Sequence, residues 1–367
     1  MQWKQVIGVM VLAGVSVFAA QARGTDSSVD VSLLLSATAP QWAAAATDDA
    51  TKDAIRINGY WDNDGGYNKR NNIEDRHVTN AFGFTFSHQP DWAVELDEWI
   101  PFDEAFVNGE RRHAGGYVIG HVMITPDNIG IAAPQPADRP WAGYLYVGAY
   151  WQRADDRTFD HLQFDLGLVG QSTGAEELQK WVHDLTDGIE PAGWDNQLTD
   201  EPTFQFTAKR KWKFDILEDF DLIEGMRYQA IPHIGGAAGT VYINGEIGIL
   251  GRAGWNLPDD FGPGRLDDPV AATSIHGEGW SVFIYAQGTG RVVAHDIFLN
   301  GGVFEDGPSV DIMEIVGEFR TGVGLEYACD RYTYGFTYSQ TFQSKTFETQ
   351  TTGDEWGTFA LSFTVWD

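Results

Sequence analysis

A period of two, repeated from end to end, constrains this chain more than any other feature. Polar and apolar side chains alternate in runs near 55–62, 77–88, 115–126, 142–153, 159–170, 203–215, 226–236, 239–252, 279–299, 313–328, 331–343 and 356–366. A strand turns successive side chains to opposite faces, so each run is a strand whose two faces meet different surroundings. Tyr144, Tyr146, Gly148 and Tyr150 lie on one side of such a run, with Leu145, Val147, Ala149 and Trp151 on the other. Lengths near the ~9–11 residues of a tilted membrane-crossing strand, with Trp and Tyr towards the run ends, suit a bilayer and its interfacial girdles. The even strand count and the aromatic last run, Phe359 to Trp366, favour an all-β chain closed as a twelve-stranded antiparallel transmembrane β-barrel. A soluble β-sandwich that binds glycans through its aromatic residues alternates as well and remains the competing architecture.

The N-terminus carries Lys4, an apolar run from Val6 to Ala20, and Ala20-Gln21-Ala22 as a small-x-small exit. This is the pattern of a secretory signal peptide over residues 1–22. Residues 23–53, rich in Ser, Thr, Ala and Asp, read as a flexible lead-in, leaving 54–367 for the barrel. No later apolar run is long enough for a spanning helix, and the single cysteine, Cys329, excludes an internal disulfide. The formal charge of −29 argues against binding nucleic acid through its phosphates. It predicts a need for cations, which can bridge carboxylates to the phosphates of an anionic lipid surface.

One segment breaks the alternation. In 174–187, Leu178, Trp181, Val182 and Leu185 recur at helical spacing, with Glu176 and Glu177 near the positive end of the helix dipole. Gln179 and His183, four apart, share a face of this short helix. In an up-and-down barrel the loops after the first, third and fifth strands lie at one end, which faces out of the cell when the N-terminus is periplasmic. The helix therefore shares a rim with the acidic loop that opens at Asp62-Asn63-Asp64 and closes at Asp75-Arg76-His77-Val78-Thr79-Asn80. His183 is a candidate general base, since imidazole titrates near neutral pH. An exposed helical histidine with no such role is the plainer alternative. Neither Gly-x-Ser-x-Gly nor His-Glu-x-x-His occurs, so a serine triad or a zinc protease is not indicated. What remains is a water nucleophile activated by His183, with a hard cation such as calcium held by oxygen ligands, Asp64 being the best placed.

Several segments in order resemble the outer-membrane lipid A 3'-O-deacylases: Asn63-Asp64, Asp75-Arg76 with Thr79, Asp138 to Tyr146 (DRPWAGYLY), GAEELQKWVHDL, and Gly193 to Leu198 (GWDNQL). The resemblance spans about Ile55 to the end. It implies a twelve-stranded outer-membrane barrel, here expected to be a monomer, with a short helix in an extracellular loop. It also implies calcium-dependent removal of the 3'-linked acyloxyacyl group from lipid A, the glycolipid of lipopolysaccharide, amid outer-membrane lipids. On this resemblance His183 matches the catalytic base, and Asn63, Asp64 and Thr79 match essential polar residues. Gln179 matches a substrate-side glutamine, and Glu190 falls near an acidic residue assigned here to the metal. Where the family has basic residues after the third strand, this chain has Ile129-Gly130-Ile131-Ala132-Ala133, so Arg76 and Arg139 are the candidate replacements. A non-catalytic barrel, a porin or a surface-binding protein, is the alternative function.

Overall fold

In the computed structural model, residues 54–64, 77–100, 110–186, 188–217, 223–270 and 278–366 are described. The expected signal peptide, the lead-in and Arg76 lie outside them. The strands are β1 Ala54–Asn63, β2 His77–His88, β3 Arg112–Thr125, β4 Ala142–Ala154, β5 Thr158–Val169, β6 Glu201–Trp212, β7 Phe214–Ile216, β8 Met226–Gly239, β9 Tyr242–Trp255, β10 Gly279–Asp296, β11 Ile315–Cys329, β12 Tyr332–Gln343 and β13 Asp354–Trp366. All neighbours are antiparallel, β1 pairs with β13, and β6 and β7 both pair with β8, so one sheet closes on itself. Only Lys213 separates β6 from β7, and the pair forms a single barrel strand, giving twelve. A single closed sheet excludes the two-sheet sandwich. No helix among the described residues is long and apolar enough to cross a membrane.

Alternation sorts the side chains as a bilayer requires, with the polar ones inside. Along β6, Thr203, Gln205, Thr207, Lys209 and Lys211 are buried, while Phe204 and Phe206 stand exposed between them. Along β4, Leu145 and Val147 point outward, and Tyr144, Tyr146 and Tyr150 point into the lumen. These tyrosines therefore pack the interior instead of forming a girdle. Outward Trp280, Tyr327 and Tyr332 form part of one at the end where β1 begins and β13 finishes, with the Trp280 and Tyr327 rings 4.7 Å apart. This end is the periplasmic one if the exported chain inserts from the periplasm.

The lumen is not open. The described part of the connection between β9 and β10, residues 256–270, runs through it, and inward side chains from around the circumference grip it. Asn58 donates to the Val270 carbonyl at 2.8 Å and Gln152 to that of Pro269 at 2.7 Å. Arg265 pairs with Glu318 at 2.7 Å, Asp268 with Lys211 at 2.6 Å, and Asp260 with Arg252. Charges buried this way persist only because each is matched. Above the segment lies a cavity of about 300 Å³ whose lining includes Asp62, Tyr146, Arg139 and Arg291.

A short helix that the alternation did not foretell, α1 Asp91–Asp97, lies on the outside of β3 and β4 at the periplasmic end. Gly115 faces outward there, and the Trp92 ring occupies the space where a β-carbon would stand. The Trp151 indole donates to the Ala93 carbonyl at 2.8 Å. Asp97 receives Arg153 at 2.5 Å, His113 at 3.0 Å and Arg111 at 3.3 Å. Burial pushes the Asp97 carboxyl up, but hydrogen bonds from His113 and Arg153 and their charges outweigh it, so its pKa falls below the ordinary carboxylate value.

Two outcomes follow from this sorting. Arginine at Val147, which is 56% exposed on the lipid face, should destabilise the barrel by up to about 2–4 kcal/mol at mid-bilayer depth, as read by denaturant unfolding in vesicles. A depressed carboxyl contributes stability that is lost as pH falls through its folded pKa. The protection factors for hydrogen exchange of residues 91–97, taken against the intrinsic rate at each pH, should therefore fall in acid below the usual carboxylate range while the barrel strands stay protected.

Candidate active site on the outer wall

The second helix, α2 Ala175–Thr186, lies at the opposite end and also on the outside of the barrel. Outward positions that would otherwise face lipid are buried beneath it and its loop, among them His121, Met123 and Trp141. Met123, Ile129, Trp141, Ala175 and Trp194 make a small core there, with Phe82 and Leu178 packed against it. Gly143 admits the helix start, because a β-carbon at this position would run into Thr173 and Ala175. His121 fastens the same spot by donating from Nε2 to the Thr173 carbonyl at 3.1 Å.

Within the loop, the Trp141 and Trp194 rings pack 5.0 Å apart, and Trp141 bridges to Gln197. The DRPWAG and GWDNQL segments thus meet. Ala192 donates to the Ile129 carbonyl at 2.8 Å, which ties the β5–β6 loop to the β3–β4 loop. Ile129 and its neighbours, which stand where basic residues were expected, therefore act as packing and as backbone acceptors.

Gln179 and His183 both point to the buried side of α2. Trp194 Nε1, which can only donate, bonds the Gln179 side-chain oxygen at 2.7 Å. That fixes the amide orientation, and its Nε2 is buried with no acceptor among the described residues. His183 Nδ1 lies 2.5 Å from the Ile189 carbonyl. A carbonyl can only accept, so Nδ1 holds the proton and the basic lone pair belongs to Nε2. Trp181, grouped by sequence with the packed face, instead stands 58% exposed, while Leu178 packs against the small core between helix and wall.

The other expected residues divide between two compartments. Outward Trp61, Asn63 and Asn80 lie along the wall, with Trp61 Nε1 donating to Asn80 at 3.1 Å and Asn63 pairing with Asn80 in register. Asp64 follows, half-buried at the end of β1. Thr79 occupies a bulge between Val78 and Asn80, where β2 meets β3. Glu190, next to the carbonyl that orients His183, is exposed. Arg139 is placed elsewhere: it turns into the barrel mouth, bonds Thr346 at 2.8 Å, lies 3.8 Å from Asp354, and sits over the Phe347 ring. Asp62 lines the same lumen. Among the described residues no three histidine, cysteine or carboxylate side chains converge as a metal site. The Asp64 carboxylate and Asn63 amide are nevertheless hard oxygen donors of the kind calcium takes. His121 escaped the sequence reading, although an imidazole at an outward position of a membrane strand implies that something covers it.

A closed, polar-lined barrel with an apolar exterior and a helix-covered patch of outer wall defines an outer-membrane β-barrel protein. The description of outer membrane protein LpxR matches residues 31–365, and the chain belongs to that family. The solved LpxR from Salmonella typhimurium superposes with a TM-score of 0.63 at 17% identity, covering 86% of this chain and 100% of that one. The β domain of the Bordetella autotransporter BrkA gives 0.43 at 11% identity, covering 86% and 99%. The translocator domain of NalP from Neisseria meningitidis gives 0.44 at 8%, covering 99% and 98%. No curated protein matches.

Valine at Gly143 should lift the start of α2 from the wall, at an overpacking cost of about 1–3 kcal/mol. Limited proteolysis within 170–186 is expected to accelerate while the folded barrel band persists on unheated gels.

Proposed function

We propose that this chain is an outer-membrane esterase that hydrolyses the ester holding the 3'-acyloxyacyl group on lipid A, with His183 as general base. The observation that carries the reading is a pair of buried polar groups on one face of a helix laid against the lipid-facing wall. One is an imidazole whose Nδ1 proton is already engaged by Ile189; the other is the Gln179 amide, whose Nε2 lacks an acceptor among the described residues. A buried donor without an acceptor costs about 1–3 kcal/mol, which a ligand oxygen would recover. The ordered motifs shared with lipid A 3'-O-deacylases supply the substrate class.

In this mechanism His183 Nε2 takes a proton from water as the oxygen attacks the ester carbonyl. The imidazolium then returns that proton to the departing 3'-oxygen, leaving a sugar hydroxyl and a free acyloxyacyl acid. Gln179 Nε2 donates to an oxygen of the ligand, and Asn63 and Thr79 orient ligand or cation beside the wall. Calcium belongs to the proposal on donor chemistry, with Asp64 as its described carboxylate and Glu190 as a second; when bound, it would polarise the carbonyl. A position on the outer wall suits a substrate that never leaves the leaflet. The filled lumen gives no support to an open porin.

Mass spectrometry of lipid A incubated with the purified protein tests the reaction, its position and its cation together. Loss of the 3'-linked group is expected with calcium and should stop when a chelator is added. His183→Ala should abolish release, and Gln179→Leu should slow it by about 10²–10³-fold if its amide stabilises developing charge. Both variants should keep a heat-modifiable barrel. No release under any divalent cation would sink the enzyme reading.

A further inference from the structure

At the end of the wall away from α2, the segment Asp91–Ile100 presents apolar side chains that no other described residue covers. Trp92 is 40% exposed, Leu96 37%, Val94 53% and Trp99 83%. Only Ala93 is fully buried, and Asp97 is held in the cluster with Arg111, His113 and Arg153. The next outward residues along β3, Tyr117 and Ile119, belong to the lipid-facing band. The Trp92 ring lies over Gly115, nearer that band than the Asp97 cluster at Arg111 and His113. The apolar flank of α1 is thus continuous with a surface already in contact with acyl chains.

Charge is laid out in two layers around it. Asp91, Glu95 and Glu98 are exposed, and residues 91–100 contain no lysine or arginine. Behind them on the wall stand three guanidinium groups. Arg153 bridges Asp97 and Asp160 at 2.5 Å each, and Arg210 holds Asp160 through two bonds of 2.6 and 2.9 Å. Arg111 and Arg210 remain 27% and 20% exposed.

We propose that Asp91–Trp99 is an interfacial anchor that seats on zwitterionic phospholipid of the periplasmic leaflet, phosphatidylethanolamine being the type. Trp92, Leu96 and Trp99 enter the boundary between headgroups and chains, where indole rings are favoured. The outer arginines meet the lipid phosphate, and the exposed carboxylates accept from its ammonium. A purely anionic headgroup satisfies the arginines but meets three uncompensated carboxylates. The anchor holds the periplasmic ends of β3 and β4, the two strands whose other ends carry α2. This inference rests on the barrel and does not depend on the proposed enzymatic activity.

The test is nitroxide depth measurement on the full-length protein in vesicles. With Cys329→Ser as background, a label at Trp99→Cys is compared with one at Glu224→Cys, an exposed position in a turn at the same end. In phosphatidylethanolamine–phosphatidylcholine vesicles the label at 99 should collide several-fold less often with a water-soluble nickel chelate, and more often with oxygen, than the label at 224. In phosphatidylglycerol vesicles the difference should shrink. Equal immersion in both lipids overturns the headgroup assignment. Collision rates at 99 matching those at 224 overturn the anchor itself.

Discussion

Closure of the backbone hydrogen-bond ladder is the constraint on which everything else depends. Inside hydrocarbon an N–H or C=O without a partner costs several kcal/mol, and a sheet that spans a bilayer cannot keep an edge. Pairing of β1 with β13, from Ala54↔Trp366 to Asn63↔Gly357, removes the edge that the chain ends would leave. With no edge, side chains have only two environments. The alternation of Phe204 and Phe206 with Thr203, Gln205 and Thr207 is the visible result.

That binary choice explains how much of the fold was legible beforehand. A residue's face follows from its parity, so the strand limits read from the alternation fall within a few residues of the observed ones, as with 77–88 for His77–His88 and 142–153 for Ala142–Ala154. Parity does not say what covers a face. Trp151 and His121 occupy outward positions like those of Val147 and Ile119, yet each lies beneath an external element. The lumen segment was hidden for a related reason. A stretch such as DDFGPGRLDDP reads as turn, and its inward course depends on Lys211, Arg252 and Glu318, remote in sequence and brought near only by closure. At seven residues, α1 is too short for helical periodicity to declare itself.

The candidate site was legible where chemistry and geometry coincide locally. Gln179 and His183 share a helix face because they are four apart, and the structure buries both. Their partners were not legible, since the Ile189 carbonyl and the Trp194 indole reach them only after the loop folds back. Arg139 illustrates the converse. Its charge and its position near the loop made it a ligand candidate, but the chain turns it towards Thr346 and Asp354 in the mouth.

Asp62 and Asn63 are consecutive, yet the first lines the lumen and the second stands on the outer wall. The sheet between them is one residue thick, and it separates a compartment of matched charges from one of membrane chemistry. Substitutions on the two sides are therefore close to independent, so the lumen can drift in sequence as long as its charges stay balanced. Insertion of a single residue into β1 has no such freedom, because it would exchange the two compartments at every position up to the next bulge.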